Sequence, residues 1–167
     1  DPSMRFDTVC IATAPDHARH FCLFDDGGRG SPEQPGLMAA LDVADPGEPG
    51  CAGLAFRIPD ALVEEESRIL WRREMIVVAY RPAFIEVETA LGPLQVLTFL
   101  ADPAAEAVRR DIPFDRQAEM IAWATGILGP NADYLSSLVR HLSELGLEDP
   151  RMFDLWHRVS ALRAGAP

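Results

Sequence analysis

The sequence predicts an α+β protein in which a curled or closed, mostly antiparallel, β-barrel-like sheet is flanked by helices. Two observations support this class. Short apolar runs rich in β-forming residues, separated by glycine and proline, recur through the first sixty residues and again between residues 76 and 100. The C-terminal third instead repeats its apolar residues at helical spacing. Strands, one inserted helix, further strands and a helical tail are typical of α+β domains.

Four strands are predicted in the N-terminal part, at residues 8–13, 20–24, 37–43 and 53–58. The segments 25–36 and 45–50 between them are rich in Gly, Pro and Asp, and are predicted to be loops. Asp60 is predicted to cap a helix that runs to about Arg73. Glu64, Glu65 and Glu66 lie early in that helix and are predicted to form a solvated face.

Three more strands are predicted at residues 76–80, 85–89 and 94–100, the first two divided by Arg81-Pro82 because proline resists continued pairing. Three helices follow. Asp115 is predicted to cap the first, which ends near Leu128, and Gly146 is predicted to end the second. The last is predicted to begin with Asp149 and Pro150 and to bury the stripe Met152, Phe153, Trp156 and Val159.

Composition places the chain among water-soluble globular proteins. Its 167 residues are 48% hydrophobic and 25% charged, which suits one domain spanning residues 1–167. No apolar run approaches the roughly 20 residues of a membrane-spanning helix. The net charge of -11 disfavours nucleic acid and anionic membranes as partners. No signal peptide is visible, so we expect a cytoplasmic protein.

The common catalytic motifs do not match the sequence. Residues 27–30 (GGRG) precede no predicted helix and are predicted to be a turn. His17 and His20 would point to opposite faces of a strand, so they are not predicted to share a metal. Cys10, Cys22 and Cys51 lack the spacing of a zinc site, and we expect reduced, mostly buried thiols.

Five segments together resemble a known family. In chain order they are residues 20–22 (HFC) followed by 29–36 (RGSPEQPG), 53–57 (GLAFR), 71–75 (WRREM), Tyr80 with Pro82, and 129–135 (GPNADYL). Their order resembles that of the ChaC family of glutathione-specific γ-glutamylcyclotransferases over nearly the whole chain. The resemblance implies a γ-glutamylcyclotransferase-like fold.

The sequence departs from this family at three places. The family's N-terminal Tyr-Gly-Ser-Leu loop does not occur, and we expect about ten residues upstream of Asp1 to carry it, as termini are often lost. The alternative is a family member without its substrate loop. Ser31 stands where the family usually has threonine, and Asp25 where it usually has serine.

The resemblance implies that the protein cleaves glutathione by intramolecular cyclisation to 5-oxoproline and cysteinylglycine, with no metal or other cofactor. Glu74 would be the general acid/base, and its apolar neighbours Trp71, Met75 and Ile76 predict partial burial. Tyr134, Arg29 and Arg57 would bind substrate. Each residue also has a structural alternative. Glu74 would be a solvent-facing residue at a helix end, Tyr134 a buried aromatic residue that anchors its helix, and the two arginines would only hold loops in place.

Two alternative functions accompany this one. The first is a cyclotransferase for another γ-glutamyl amine or amide. The second is a non-catalytic family member that lacks the substrate loop.

Overall fold

The computed structural model describes residues 4–165. The strands are β1 Thr8–Ala14, β2 His17–Asp25, β3 Gly36–Val43, β4 Cys51–Arg57, β5 Tyr80–Thr89, β6 Gly92–Ala101, β7 Thr125–Gly126 and β8 Gly129–Pro130. The helices are α1 Val63–Glu74, α2 Phe114–Trp123, α3 Asn131–Glu144 and α4 Pro150–Ala164, with a 3-10 turn at Asp60–Leu62 before α1. The predicted α+β class is confirmed.

Strands β1 to β6 form one sheet in the order β2-β3-β6-β5-β1-β4, and β7 and β8 form a separate small hairpin. β1 is antiparallel to β4 and β5, and β5 is antiparallel to β6. β3 runs parallel to β6 at the pair Leu41 and Leu100. The sheet is therefore mostly antiparallel, as predicted, but over residues 4–165 it is open, with β2 and β4 at its edges. The closed form of the prediction is not confirmed.

The described residues form two compact units, the first of residues 4–18 and 41–105 and the second of residues 19–40 and 106–165. In the first unit, Ala12, Ala14 and Val87 form a buried cluster. Val9 and Ile11 on the opposite face of β1 are about half exposed. These side chains of β1 thus lie on opposite faces of the strand, as the two-residue period of a strand requires.

The second unit has a helical core. The side chains of Ile121, Leu135, Met152, Leu155 and Val159 are fully buried there. Asp149 caps α4 by accepting a hydrogen bond from the backbone nitrogen of Met152, with Pro150 in the first turn. Gly146 follows α3 with φ +66°, a value that favours glycine. These caps are as predicted.

The predicted division of the chain at Pro82 is wrong. β5 runs without interruption from Tyr80 to Thr89, and Pro82 lies opposite Phe99 of β6. Within the part of the chain that the structure describes, β1 pairs with β5 at Glu88 and Thr89 alone. Pro82 therefore lies where β5 has a partner on one side, and proline is tolerated there.

The predicted strand at residues 76–80 is also wrong, since residues 76–79 form a turn. Ile76 and Val78 in this turn are about four-fifths exposed. Apolar composition alone therefore misassigned the segment, because no neighbouring strand pairs with it.

Two helix boundaries differ from the prediction. α2 ends at Trp123, because Ala124 is extended and residues 125–130 turn back as the β7-β8 hairpin. Pro113, not Asp115, precedes α2, and Asp115 lies in its first turn. Asp60 begins the 3-10 turn and makes no side-chain cap.

The prediction of a solvated glutamate face holds for Glu64 and Glu65 and is wrong for Glu66, whose side chain is 2% exposed. Glu66 Oε1 accepts a hydrogen bond from Arg5 Nε at 2.5 Å. Arg5 also pairs with Glu65. A charge from a distant part of the chain thus neutralises the buried carboxylate, as a buried charge requires.

The three cysteines are free thiols, as predicted. Only Cys22 is buried, whereas Cys51 is partly exposed and Cys10 is exposed, so the expectation of mostly buried thiols is wrong. No helix among residues 4–165 is long and apolar enough to cross a membrane.

Candidate active site

Glu74 is the last residue of α1, and its side chain is 25% exposed. Its Oε1 atom accepts hydrogen bonds from the guanidinium of the adjacent Arg73, at 2.7 Å from Nε and 2.6 Å from Nη2. Both contacts use Oε1, and Oε2 takes part in neither. Glu74 is therefore partly sheltered and held in one orientation, rather than fully solvent-facing.

The shelter does not come from the neighbours that the sequence suggested. Trp71 is half exposed and Ile76 is more exposed still, while Met75 is partly buried. Glu74 is thus partly buried although two of the three apolar side chains next to it in sequence face solvent.

Arg57 lies at the end of β4 and is 63% exposed. Its Nη1 atom is 3.3 Å from a carboxylate oxygen of Asp7, and its Nη2 atom is 3.6 Å from one of Asp60. Exposed pairs at such distances contribute little to stability. Arg57 is a surface cation shared between two carboxylates of the first unit.

In the second unit, the loop that follows β2 is organised by Asp25. Asp25 Oδ1 accepts hydrogen bonds from the backbone nitrogens of Gly27 (3.1 Å) and Gly28 (2.7 Å), and Oδ2 accepts one from that of Arg29 (2.7 Å). One carboxylate thus binds three consecutive backbone N–H groups, an arrangement that favours an anion. These bonds fix the backbone on both sides of Gly28.

The same loop is attached to the β7-β8 hairpin. The backbone nitrogens of Ile127 and Leu128 donate to the carbonyl oxygens of Gly27 and Gly28, at 3.1 and 2.8 Å. The guanidinium of Arg29 donates in return to the carbonyl oxygen of Leu128. Loop and hairpin are therefore joined by three hydrogen bonds.

Two glycines make this close approach possible. A Cβ atom at Gly30 would overlap the backbone nitrogen of Gly36 and the carbonyl oxygen of Asp25. A Cβ atom at Gly126 would overlap the carbonyl oxygens of Gly28 and Gly30. The segment containing Gly27, Gly28 and Gly30, which matched no phosphate-binding motif, is thus a tightly packed structural turn.

Tyr134 lies in the first turn of α3, next to this loop. Its ring packs edge-on against Phe21 of β2, with ring centroids 5.8 Å apart. The guanidinium carbon of Arg29 lies 5.8 Å from the Tyr134 ring centroid, within range of a cation–π contact. The structure therefore brings together two of the four predicted site residues, Arg29 and Tyr134.

Burial raises the pKa of the Tyr134 phenol above its ordinary value of 10.0. A hydrogen bond with the backbone of Ala39 and the positive charges of Arg19 and Arg29 act in the opposite direction but do not cancel the effect of burial. The phenol is therefore neutral near pH 7 and keeps a proton to donate.

Two features of this region were not predicted as such. Asp25 was noted only as a departure from a family pattern, although Asp-Asp-Gly-Gly at residues 25–28 is the composition of a turn in which a side chain accepts backbone N–H groups. Asn131, at the start of α3, binds the backbone of Leu37 through both atoms of its amide. No local signal predicts that second contact, since the partner is distant in sequence.

Comparison with known proteins gives consistent matches. Residues 1–162 match the family of ChaC-like proteins. The glutathione-specific γ-glutamylcyclotransferase of Escherichia coli (strain K12) is 36% identical over 166 residues, which cover 98% of this chain and 70% of that protein. γ-Glutamylcyclotransferase 2-3 of Arabidopsis thaliana is 29% identical over 141 residues, covering 78% of this chain and 68% of that protein.

Among solved structures, a γ-glutamylcyclotransferase specific to glutathione from yeast aligns with a TM-score of 0.85 at 20% identity. The alignment covers 99% of this chain and 93% of the yeast chain. At this identity the match shows a shared fold.

Proposed function

Because the chain belongs to the family of ChaC-like proteins, we propose that it is a γ-glutamylcyclotransferase that converts glutathione into 5-oxoproline and cysteinylglycine. The observation that carries the proposal is the 36% identity to the Escherichia coli enzyme over 98% of the chain. Glu74, Tyr134, Arg29 and Arg57 are the residues to which we assign roles.

The reaction joins two groups of one substrate molecule. The α-amine of the γ-glutamyl group attacks its γ-carbonyl carbon, a new C–N bond closes the five-membered lactam, and the amide bond to cysteinylglycine breaks. Because nucleophile and electrophile belong to the same molecule, holding one folded conformer supplies up to about 7–11 kcal/mol in favourable cases. The proposed reaction therefore uses no nucleophile from the protein and no cofactor.

The reaction does require protons to move. The substrate amine is an ammonium at neutral pH; it must lose one proton before it attacks and a second as the lactam N–H forms. The departing nitrogen must gain one proton as its C–N bond breaks, and the released amine takes up the other from solvent to become an ammonium. We assign the first removal and the donation to the departing nitrogen to Glu74. The contacts of Arg73 with Oε1 support this role, because they orient the carboxylate while the Oε2 atom takes part in neither of them.

The other three residues are assigned to substrate binding. Tyr134, neutral near pH 7, would donate a hydrogen bond to the substrate. Arg29 and Arg57 would each bind a substrate carboxylate, for which a guanidinium offers two parallel N–H donors. Arg29 is the stronger candidate because it lies beside Tyr134, whereas Arg57 is shared between Asp7 and Asp60.

The proposal also covers three further expectations, on domain organisation, sheet curvature and location in the cell. We propose that residues 1–167 act as one domain, that the sheet curls towards a barrel, and that the enzyme works in the cytoplasm. The yeast structure at TM-score 0.85 supports the fold on which the first two of these depend.

The decisive experiment compares Glu74→Gln with Glu64→Gln. Both glutamates lie on α1 and both accept a hydrogen bond from an arginine, Glu64 from Arg68 at 2.6 Å. Glu64 is 89% exposed, so its amide should leave turnover unchanged. Glu74→Gln should lower kcat by about 100- to 10,000-fold, as expected for loss of a general acid/base. 5-Oxoproline is measured by chromatography, and circular dichroism confirms that both variants fold.

Two results would reject the proposal at different levels. If the unaltered protein, with the residues its gene encodes upstream of Asp1, releases no 5-oxoproline from glutathione, the assigned activity is wrong. If it does and Glu74→Gln keeps more than a tenth of that rate, only the assignment of Glu74 is wrong. Glutathione and other γ-glutamyl amides, compared by kcat/KM in parallel, test the substrate.

A further inference from the structure

Asp25 binds more backbone N–H groups than any uncharged replacement of its size can. Its two oxygens accept three hydrogen bonds, from the nitrogens of Gly27, Gly28 and Arg29. A neutral replacement such as serine offers one oxygen instead of two. Hydrogen bonds to a charged acceptor are also roughly twice as strong as neutral ones. The backbone of Arg29 is therefore fixed by a charged acceptor with two oxygens.

Arg29 is held at its other end as well. Its guanidinium donates to the carbonyl oxygen of Leu128 and lies over the ring of Tyr134. A guanidinium has five N–H donors, and the Leu128 carbonyl uses one of them. The position of the remaining donors depends on both the backbone contact with Asp25 and the side-chain contact with Leu128.

We infer that Asp25 is a positioning residue for substrate binding, which holds the guanidinium of Arg29 beside Tyr134 so that it can receive a carboxylate of the substrate. This inference rests on the proposed function, because it assumes that Arg29 binds an anionic substrate. Among residues 4–165, the hydrogen bonds of the Asp25 carboxylate all go to the backbone of its own loop.

Because Asp25 is charged, a positioning role and a purely electrostatic effect predict opposite changes in KM when Asp25 is removed. A carboxylate close to Arg29 lowers the positive potential there, so its removal should tighten the binding of an anion if charge alone mattered. If Asp25 instead positions Arg29, its removal should weaken binding although the site becomes more positive. The two effects change KM in opposite directions.

The first experiment measures kcat and KM for glutathione in Asp25→Ala, Asp25→Asn and the control Asp26→Ala. Asp26 is exposed, adjacent and equally charged. Asp25→Ala should raise KM about tenfold with kcat nearly unchanged, as expected when charge-assisted hydrogen bonds are lost. Asp25→Asn, which keeps one acceptor oxygen, should show a smaller increase, and Asp26→Ala should change KM by less than about twofold.

A double-mutant cycle separates positioning from a general loosening of the fold. In the Arg29→Ala background, Asp25→Ala should add less than about twofold to KM, because the side chain that Asp25 positions is already absent. An equal rise in both backgrounds, or a KM that falls or stays constant in Asp25→Ala, would overturn the inference.

The second experiment needs no turnover. In a Tyr80→Phe background of residues 1–167, Tyr134 is the only tyrosine, and its ionisation is followed by ultraviolet absorbance while circular dichroism monitors the fold. The cations that face it are Arg19, held by Asp149, and Arg29. If Asp25→Ala releases Arg29, the pKa of Tyr134 rises further. Loss of the Asp25 charge alone would lower the pKa of Tyr134. A fall or no change in this pKa therefore rejects the positioning role, even if glutathione proves not to be the substrate.

Discussion

Asn131 encloses the backbone of Leu37 in a buried, two-way hydrogen-bonded contact. The backbone nitrogen of Leu37 donates to Asn131 Oδ1, and Asn131 Nδ2 donates to the Leu37 carbonyl oxygen, both at 2.8 Å. Both residues are fully buried. The side-chain amide therefore pairs with a peptide group as a neighbouring strand would, and fixes the start of α3, with Tyr134 in its first turn, to β3.

We predict that Asn131→Ala lowers the free energy of unfolding by about 2–4 kcal/mol, because it leaves a buried N–H and a buried carbonyl without partners. Asp133→Ala, an exposed change in the same turn, is the control and should cost less than about 0.5 kcal/mol. Urea unfolding followed by tryptophan fluorescence measures both. Equal stability of the two variants would contradict the importance of this contact.

Two glycines of the loop after β2 should differ sharply in their tolerance of alanine. Gly30→Ala places a methyl group on the backbone of Gly36 and Asp25, which cannot move without disrupting the loop, and should destabilise the protein by about 1–3 kcal/mol or more. Gly27→Ala meets no atom within 4 Å and should lie within about 0.5 kcal/mol of the unaltered protein. Melting temperatures measured by differential scanning fluorimetry test the pair. Similar melting temperatures would show that the loop adapts.

The elements with local signals were the ones that the sequence predicted well. The cap Asp149-Pro150, the terminating Gly146 and the run of β-forming residues in β1 each depend on residues a few positions apart. The misassigned turn at residues 76–79 and the uninterrupted β5 depend instead on which strand lies alongside, and that is a property of the assembled sheet.

In the candidate site, likewise, the sequence predicted some features and not others. The motif order singled out Glu74, Arg29, Arg57 and Tyr134, but it did not predict their contacts. The position of Arg29 over Tyr134 joins residues about 100 positions apart, and the burial of Glu66 depends on Arg5. Such pairs follow from tertiary packing, which overrides local propensity.

The two candidate arginines should differ in their effect on substrate binding. Arg29→Gln should raise KM for glutathione by about 10- to 100-fold, equivalent to about 1.4–2.8 kcal/mol of binding, because it removes a cation held beside Tyr134. Arg57→Gln should raise KM by less than about threefold, since its guanidinium is shared with Asp7 and Asp60 and is largely exposed. Initial-rate measurements over a range of glutathione concentrations give both values. The reverse order would reassign the carboxylate to Arg57.

Tyr134 should make the stability of the protein fall at alkaline pH. Its folded-state pKa is raised above 10.0 by burial, so between that pH and the folded pKa the unfolded chain has lost a proton that the folded chain keeps. The resulting stabilisation is complete below pH 10 and is lost as pH rises through the folded pKa, by at most about 1.4 kcal/mol per pH unit. Urea unfolding between pH 8 and about 11 should therefore show a steeper decline for the unaltered protein than for Tyr134→Phe. Tyr80→Phe is the control for loss of a phenol as such. A decline as steep in Tyr134→Phe as in the unaltered protein would mean that Tyr134 is not the group responsible.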